Sequence, residues 1–161
     1  SDVVLDNTYP IYLFKFINMH PATDGSQLKF NLSIDSGSNY NVTKTTTSFY
    51  AEHSESGSSD FSYNTGRDLA QSTSDMFVCN NIGNDNDQSM SGYMHLFNPS
   101  STTFVKHFLI TTNEYQSGNY STTAYKAGYG NTTSAVDAVI FRMNSGNIDA
   151  GTIKLYGIKD S

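Results

Sequence analysis

One cysteine, Cys79, stands in 161 residues, so neither an intrachain disulfide nor a thiolate metal cluster can form. Charge is scarce as well. Only 15% of the residues are charged and only two are arginines, Arg67 and Arg142. Nine Lys plus Arg against 15 Asp plus Glu leave a net charge of -6, so a phosphate backbone finds little to hold and no nucleic-acid partner is expected. Apolar runs such as Ile11–Phe14 and Phe108–Ile110 stop after a few residues, far short of the roughly 20 that a bilayer-spanning helix needs. No membrane insertion is expected. No segment of useful length carries a helical period. Residues 64–75 could hold one helical turn, but their apolar content is too thin for a stable helix, and a loop is expected.

What is abundant is neutral and polar. Ser, Thr and Asn make up 55 of the 161 residues, while 11 Tyr and 10 Phe supply the large apolar areas a core needs. The length fits one domain, 1–161. Residues 28–35 alternate strictly, with Leu28, Phe30, Leu32 and Ile34 on one face and Lys29, Asn31, Ser33 and Asp35 on the other. Upstream, Ile11–Met19 carries Tyr12, Phe14 and Phe16 among aliphatic positions, as a strand covered on both faces would. The intervening His20–Ser26 reads as a turn, which makes these two strands expected partners. Further strands are expected at 45–52, 61–63, 76–79, 90–97, 103–111, 121–129, 135–143 and 151–158, separated by Gly, Ser, Asn and Pro turn chemistry. The pattern predicts an all-β, jelly-roll-like antiparallel β-sandwich of about 8–10 strands.

Few constellations carry chemistry. His20, His53, His95 and His107 fall in no metal-ligand spacing. His95 and His107 lie on consecutive expected strands, where they could face each other across a hairpin. Glycoside hydrolysis needs two carboxylates held together, and the glutamates are only Glu52, Glu55 and Glu114. Asp137 lies in an apolar strand and is expected to face outward. No nucleophile elbow or phosphate loop is present, so no enzymatic activity is expected, a polysaccharide-degrading enzyme being the least favoured reading. Asn84, Asp85, Asn86 and Asp87 offer oxygen ligands of the kind Ca²⁺ takes, but the glycine and closing glutamate of an EF-hand loop are missing, so this is at most a weak calcium candidate and no cofactor is expected. Four N-x-[ST] sites, at Asn31, Asn41, Asn119 and Asn131, equal the number chance gives with 16 Asn and 39 Ser plus Thr. Tyr and Asn gather in expected loops, around Asn39-Tyr40, Tyr115 and Asn119-Tyr120 and at Tyr129. An aromatic face stacks on a sugar ring while short amides bond its hydroxyls, so Tyr40, Tyr115, Tyr120, Tyr129, Asn39 and Asn119 are the candidate ligand-binding residues. Neutral surfaces of this kind equally suit subunit contact. Val139, Phe141 and Met143, on one strand face, could supply such a patch.

The C-terminal stretch Gly151-Thr-Ile153-Lys-Leu155-Tyr156-Gly157, after the small-residue turn Ser145-Gly146-Asn147, resembles the closing strand of a β-sandwich family of virion structural, tail-fibre-like proteins in tailed bacteriophages of marine bacteria. Tyr12-Leu-Phe-Lys-Phe16, Pro21-Ala-Thr-Asp-Gly25 and Leu96-Phe-Asn-Pro-Ser100 resemble it too, so the similarity spans nearly the whole chain. The resemblance implies a structural module on the virion surface, with no catalytic residues to carry over. It implies a tail-fibre-like appendage contacting host-surface carbohydrate, or alternatively a capsid decoration or head-knob protein contacting coat subunits. Its partners would be other virion proteins, and its assembly a homotrimer.

Overall fold

A computed structural model describes residues 5–159. Alternation and turn chemistry give ten strands and, among the described residues, no helix. In chain order they are β1 (Ile11–Pro21), β2 (Leu28–Ser33), β3 (Lys44–Ser54), β4 (Ser59–Tyr63), β5 (Met76–Phe77), β6 (Met90–Phe97), β7 (Lys106–Gln116), β8 (Tyr120–Gly130), β9 (Ala138–Met143) and β10 (Ile148–Ile158). They form two antiparallel sheets packed as a β-sandwich, one of seven strands in the order β10-β1-β6-β7-β8-β3-β4 and one of three in the order β5-β2-β9. The three-stranded sheet is built from three excursions, β1 to β2 to β3, β4 to β5 to β6 and β8 to β9 to β10, each of which leaves the wide sheet, contributes one strand and returns.

β1 does not pair with β2. It pairs with β10 from Ile11↔Ile158 to Pro21↔Ile148 and with β6 from Ile11↔Phe97 to Met19↔Met90. Residues 22–27 carry the chain to the other sheet instead of folding it back: Ala22 N donates to Asn147 O at 3.0 Å, and Ser26 bridges to Ile82. β2 is central in the narrow sheet, paired with β5 and β9, so Asn31 and Ser33, on its polar face, are buried along with Phe30 and Leu32. The strand ends at Ser33, which leaves Ile34 exposed.

The core lies between the sheets, where Phe30 of β2 packs edge-to-face on Phe108 of β7, with centroids 5.0 Å apart. Phe141 of β9 packs on Phe14 and Phe16 of β1 at 5.2 and 5.3 Å. Val139, Phe141 and Met143 therefore point inward against the core and supply no external patch. One close approach requires a glycine. A Cβ on Gly128 of β8 would stand 2.6 Å from Thr45 O and 2.9 Å from Phe108 Cζ.

Seven strands at about 4.8 Å spacing span roughly 30 Å, while three cover about 10 Å, so much of the wide sheet's inner face must be roofed by loops. The segments 64–75 and 78–89 do this. Thr46 N donates to Leu69 O at 2.9 Å, Lys44 and Ser72 exchange backbone bonds at 2.8 and 3.0 Å, and Gly83 N donates to Tyr115 O at 3.2 Å. Residues 64–75, expected as a loop, thus extend the β3 edge beyond β4 and satisfy backbone groups that an open edge would leave unpaired.

Candidate functional site

Strand register aligns the outward side chains of the wide sheet into rows that run across its strands. One row reads Lys154, Lys15, Tyr93, Thr111, Tyr125, Phe49, Tyr63. The next reads Tyr156, Leu13, His95, Leu109, Ala127, Thr47, and flanking positions add Ile17, Phe61, Ile11, Ile158 and Tyr129. Among the described residues, nine of the twelve large exposed hydrophobic side chains lie on this outer face, all except Ile34, Phe104 and Ile148. Phe61 is 71% exposed and Tyr63 52%. None of the aligned residues is Asp or Glu, although the chain has 15 acids. Phe49 and Tyr125 stack on each other at 5.2 Å and 15°. Rings stacked this way across neighbouring strands stand on the sheet as a ridge, showing their edges outward.

The expected loop tyrosines are placed differently. Tyr115 is the penultimate residue of β7, Tyr120 opens β8, and Tyr129 is the penultimate residue of β8, roughly 30 Å from Tyr120 along the strand. Tyr40 lies between β2 and β3, its hydroxyl over Gly37, and all four tyrosines are half-buried. Asn39 is committed locally: its N and Nδ2 donate to Asp35 at 2.9 and 2.7 Å. Only Tyr115, Tyr120 and Asn119 come together, at the β7–β8 hairpin, where the Tyr115 hydroxyl lies 3.0 Å from Glu55 Oε1 and 3.3 Å from Asn119 Oδ1. The Glu55 carboxylate holds the Tyr115 phenol above its ordinary value. An open groove of about 440 Å³ runs past Glu55, Tyr115 and Ser121. At the other end Tyr129, His107, Leu109, Ala127 and Thr47 line a groove of about 290 Å³ on the outer face. Apart from Phe104, the aromatic side chains most open to solvent lie on strands, where alternation from a correct register could have revealed them.

Other expectations change with the register. His95 pairs with Leu109, and His107 stands beside Tyr129 at 6.1 Å, so the two histidines do not oppose each other. Asp137 precedes β9, and its carboxylate accepts from Ser36 N at 3.0 and 3.1 Å. Asn84, Asp85, Asn86 and Asp87 form an exposed turn closed by Gln88 N on Asp85 O at 2.8 Å. Among the described residues no three His, Cys, Asp or Glu groups converge as metal ligands.

A polar cluster lies under the loop roof that pattern reading missed, because Glu114 sits in what looked like a loop. β7 continues past Thr111 to Gln116, which turns Glu114 inward and leaves it 0% exposed. Both its carboxylate oxygens accept from Asn80 N, at 2.9 and 3.0 Å. Lys126 of β8 is equally buried, and its Nζ donates to Ser48 Oγ at 2.9 Å and to Asn80 Oδ1 at 3.2 Å. Burial pushes the Glu114 carboxyl up to about 8 and the Lys126 ammonium down to about 8. Lys44 of β3 forms a second buried pair, its Nζ 2.5 Å from Asn31 Oδ1, with burial bringing it down to about 8. Asn31 Nδ2 in turn donates to Asp75 at 3.0 Å, and Asp75 is gripped by Arg142 at 2.7 and 2.8 Å.

Compared with protein-family models, curated proteins and solved structures, the chain matches none. Among the described residues no helix is long and apolar enough to cross a membrane.

Proposed function

We propose that this chain is a non-catalytic structural module of a tailed-phage particle, carried on the virion surface and joined to further copies of itself through the outer face of its seven-stranded sheet. The observation that supports this is the face itself. Its nine exposed hydrophobics present roughly 900 Å², taking ordinary side-chain areas, against the few hundred Å² that a soluble monomer tolerates and the ~800 Å² per partner of a stable interface. Two chains of charge -6 repel each other in bulk, but no side chain aligned on this face is acidic, and the Asp68 carboxylate that reaches it accepts from the Tyr63 hydroxyl at 2.7 Å. The Phe49–Tyr125 ridge suits interdigitation with another apolar face better than flat stacking on a sugar. The phage setting and the homotrimer come from the resemblance of the chain's strands and turns to tail-fibre-like proteins. In a capsid decoration or head-knob protein, the same face would meet coat subunits.

Light scattering on the purified chain tests the reading. A stable oligomer is expected, converted to a folded monomer by Phe61→Lys with Tyr125→Lys. A wild-type chain that stays monomeric at the highest concentration it tolerates refutes it. Immunogold labelling of particles then separates fibre, tail and head positions.

The Tyr129 groove, on the same face, supports an alternative reading, contact with host-surface glycan. Binding to a panel of bacterial polysaccharides without chain shortening, lost in Tyr129→Ala, is the expected result. Nothing in either role requires a cofactor, and repeating the panel with a calcium chelator tests the 84–87 turn.

A further inference from the structure

A lysine and a glutamate sealed in one core cost stability unless something compensates, since each must give up its hydration. Replacing both members of such a pair together by apolar side chains is often neutral or better. Lys126 and Glu114 do not pair with each other directly. Both converge on Asn80, one on its side-chain carbonyl and the other on its backbone N.

The geometry points to a self-made covalent bond: we propose that the Lys126 amine attacks the Asn80 carboxamide to form an intramolecular isopeptide cross-link between the loop roof and β8. The new bond joins Nζ to Cγ, and the bond from Cγ to Nδ2 breaks. The attacking nitrogen gives up one proton, the leaving nitrogen gains one, and ammonia departs. No oxidant, metal or co-reactant is needed. Glu114, whose carboxyl accepts from the Asn80 backbone N, is the acid of the cluster, and turning its side chain toward the two nitrogens lets it carry the proton from one to the other and end as it began.

Four features of the cluster support the step. Nζ lies 3.2 Å from Oδ1, so the carbonyl carbon lies one C=O bond further on, and a small rotation of the lysine side chain brings it toward the separation at which held groups react. Burial lowers the Lys126 ammonium toward the neutral, nucleophilic amine. Burial raises Glu114 so that it holds a proton near neutral pH. Among the described residues the Asn80 Nδ2 donates to no acceptor, and Asn80 keeps 5% of its surface open, which gives the leaving nitrogen freedom and an exit. The Lys44–Asn31 pair is a built-in contrast. There Nδ2 is held by Thr73 O and by Asp75, an acid that Arg142 keeps ionised and that has no proton to give.

Intact-mass measurement of the folded, full-length chain is the test. The chain should be lighter than its sequence by one ammonia, about 17 Da, and its digest should contain a branched peptide joining Asn80 to Lys126. Lys126→Met should have the full sequence mass. Glu114→Gln should fold and stay unlinked, or link at least tenfold more slowly. A folded wild-type chain of unaltered mass overturns the proposal, and so does a branch at Asn31 and Lys44 instead. If Lys126→Met does not fold, the wild-type mass and branch site still decide.

Discussion

Replacing Glu114 by Gln removes the only buried carboxyl in the Asn80 cluster while keeping an oxygen to accept from the Asn80 backbone. In the unfolded chain the Glu114 carboxyl ionises near its ordinary 4.5, but in the folded chain burial holds it to about 8, partly offset by the Asn80 backbone bonds and by the charges of Lys126 and Arg67, with Glu52 opposing them. A folded-state value raised above the unfolded one means that the unfolded chain releases its proton first. The stability Glu114 contributes is therefore complete below about 4.5 and is lost as pH rises toward 8. At ~1.4 kcal/mol per pH unit, the whole window has a ceiling of about 5 kcal/mol. Urea unfolding of wild type and Glu114→Gln at half-unit steps from pH 4.5 to 9 reads it directly. Wild-type stability should fall across the window by a few kcal/mol, and the variant should not follow. Any cross-link lost with the variant offsets its curve vertically without creating the missing downward slope. Parallel curves would refute the burial argument. Lys44, and Lys126 wherever its amine is not cross-linked, are lowered to about 8 and act only above that pH, and no histidine lies against the carboxyl.

Other consequences are simpler. Phe30→Ala empties a fully buried site packed on Phe108 and should cost about 3–5 kcal/mol in chemical denaturation. A loss under 1 kcal/mol would mean the sheets close over the gap. Gly128→Ala drives a Cβ to 2.6 Å from Thr45 O, so the β3–β8 ladder must shift, and the variant's Tm should drop by several degrees. Asp75→Asn breaks the paired bonds to Arg142, whose side chain is half exposed, and should cost no more than about 1 kcal/mol at pH 7. Because that pairing lowers the Asp75 carboxyl, the cost should shrink as pH falls through the carboxylate range.

The fold class was legible because period-two alternation and turn residues act locally. Leu28, Phe30 and Leu32 face the core as their spacing requires, and residues 64–75 form a loop because they carry too few apolar side chains for a helix. Pairing was not legible. His20–Ser26 has the composition of a hairpin, but whether a turn folds a strand back or carries it across is decided by distant contacts such as Ala22 with Asn147. The same limit hid the buried cluster. Asn113–Gln116 reads as loop chemistry, yet its backbone is claimed by Thr123, Thr122, Ser121 and Tyr120 on β8, which fixes Glu114 inward. The exposed aromatic face was missed for a related reason: Phe49, Tyr93 and Tyr125 alternate along their strands as core residues would, and only the register shows that they occupy the face turned away from the second sheet.

The pairing of β1 with β10 has a mechanical consequence. Ile11 and Ile158 are cross-strand neighbours at the open end of an antiparallel pair, so tension applied at these two positions opens the ladder one rung at a time instead of loading all rungs in shear. β10 is an edge strand, held by hydrogen bonds on one side only. It would peel at low force, exposing the β1 edge, while the strands from β6 to β4 stay folded. A module tethered at these two points would lengthen under load before it failed, acting as a yielding link.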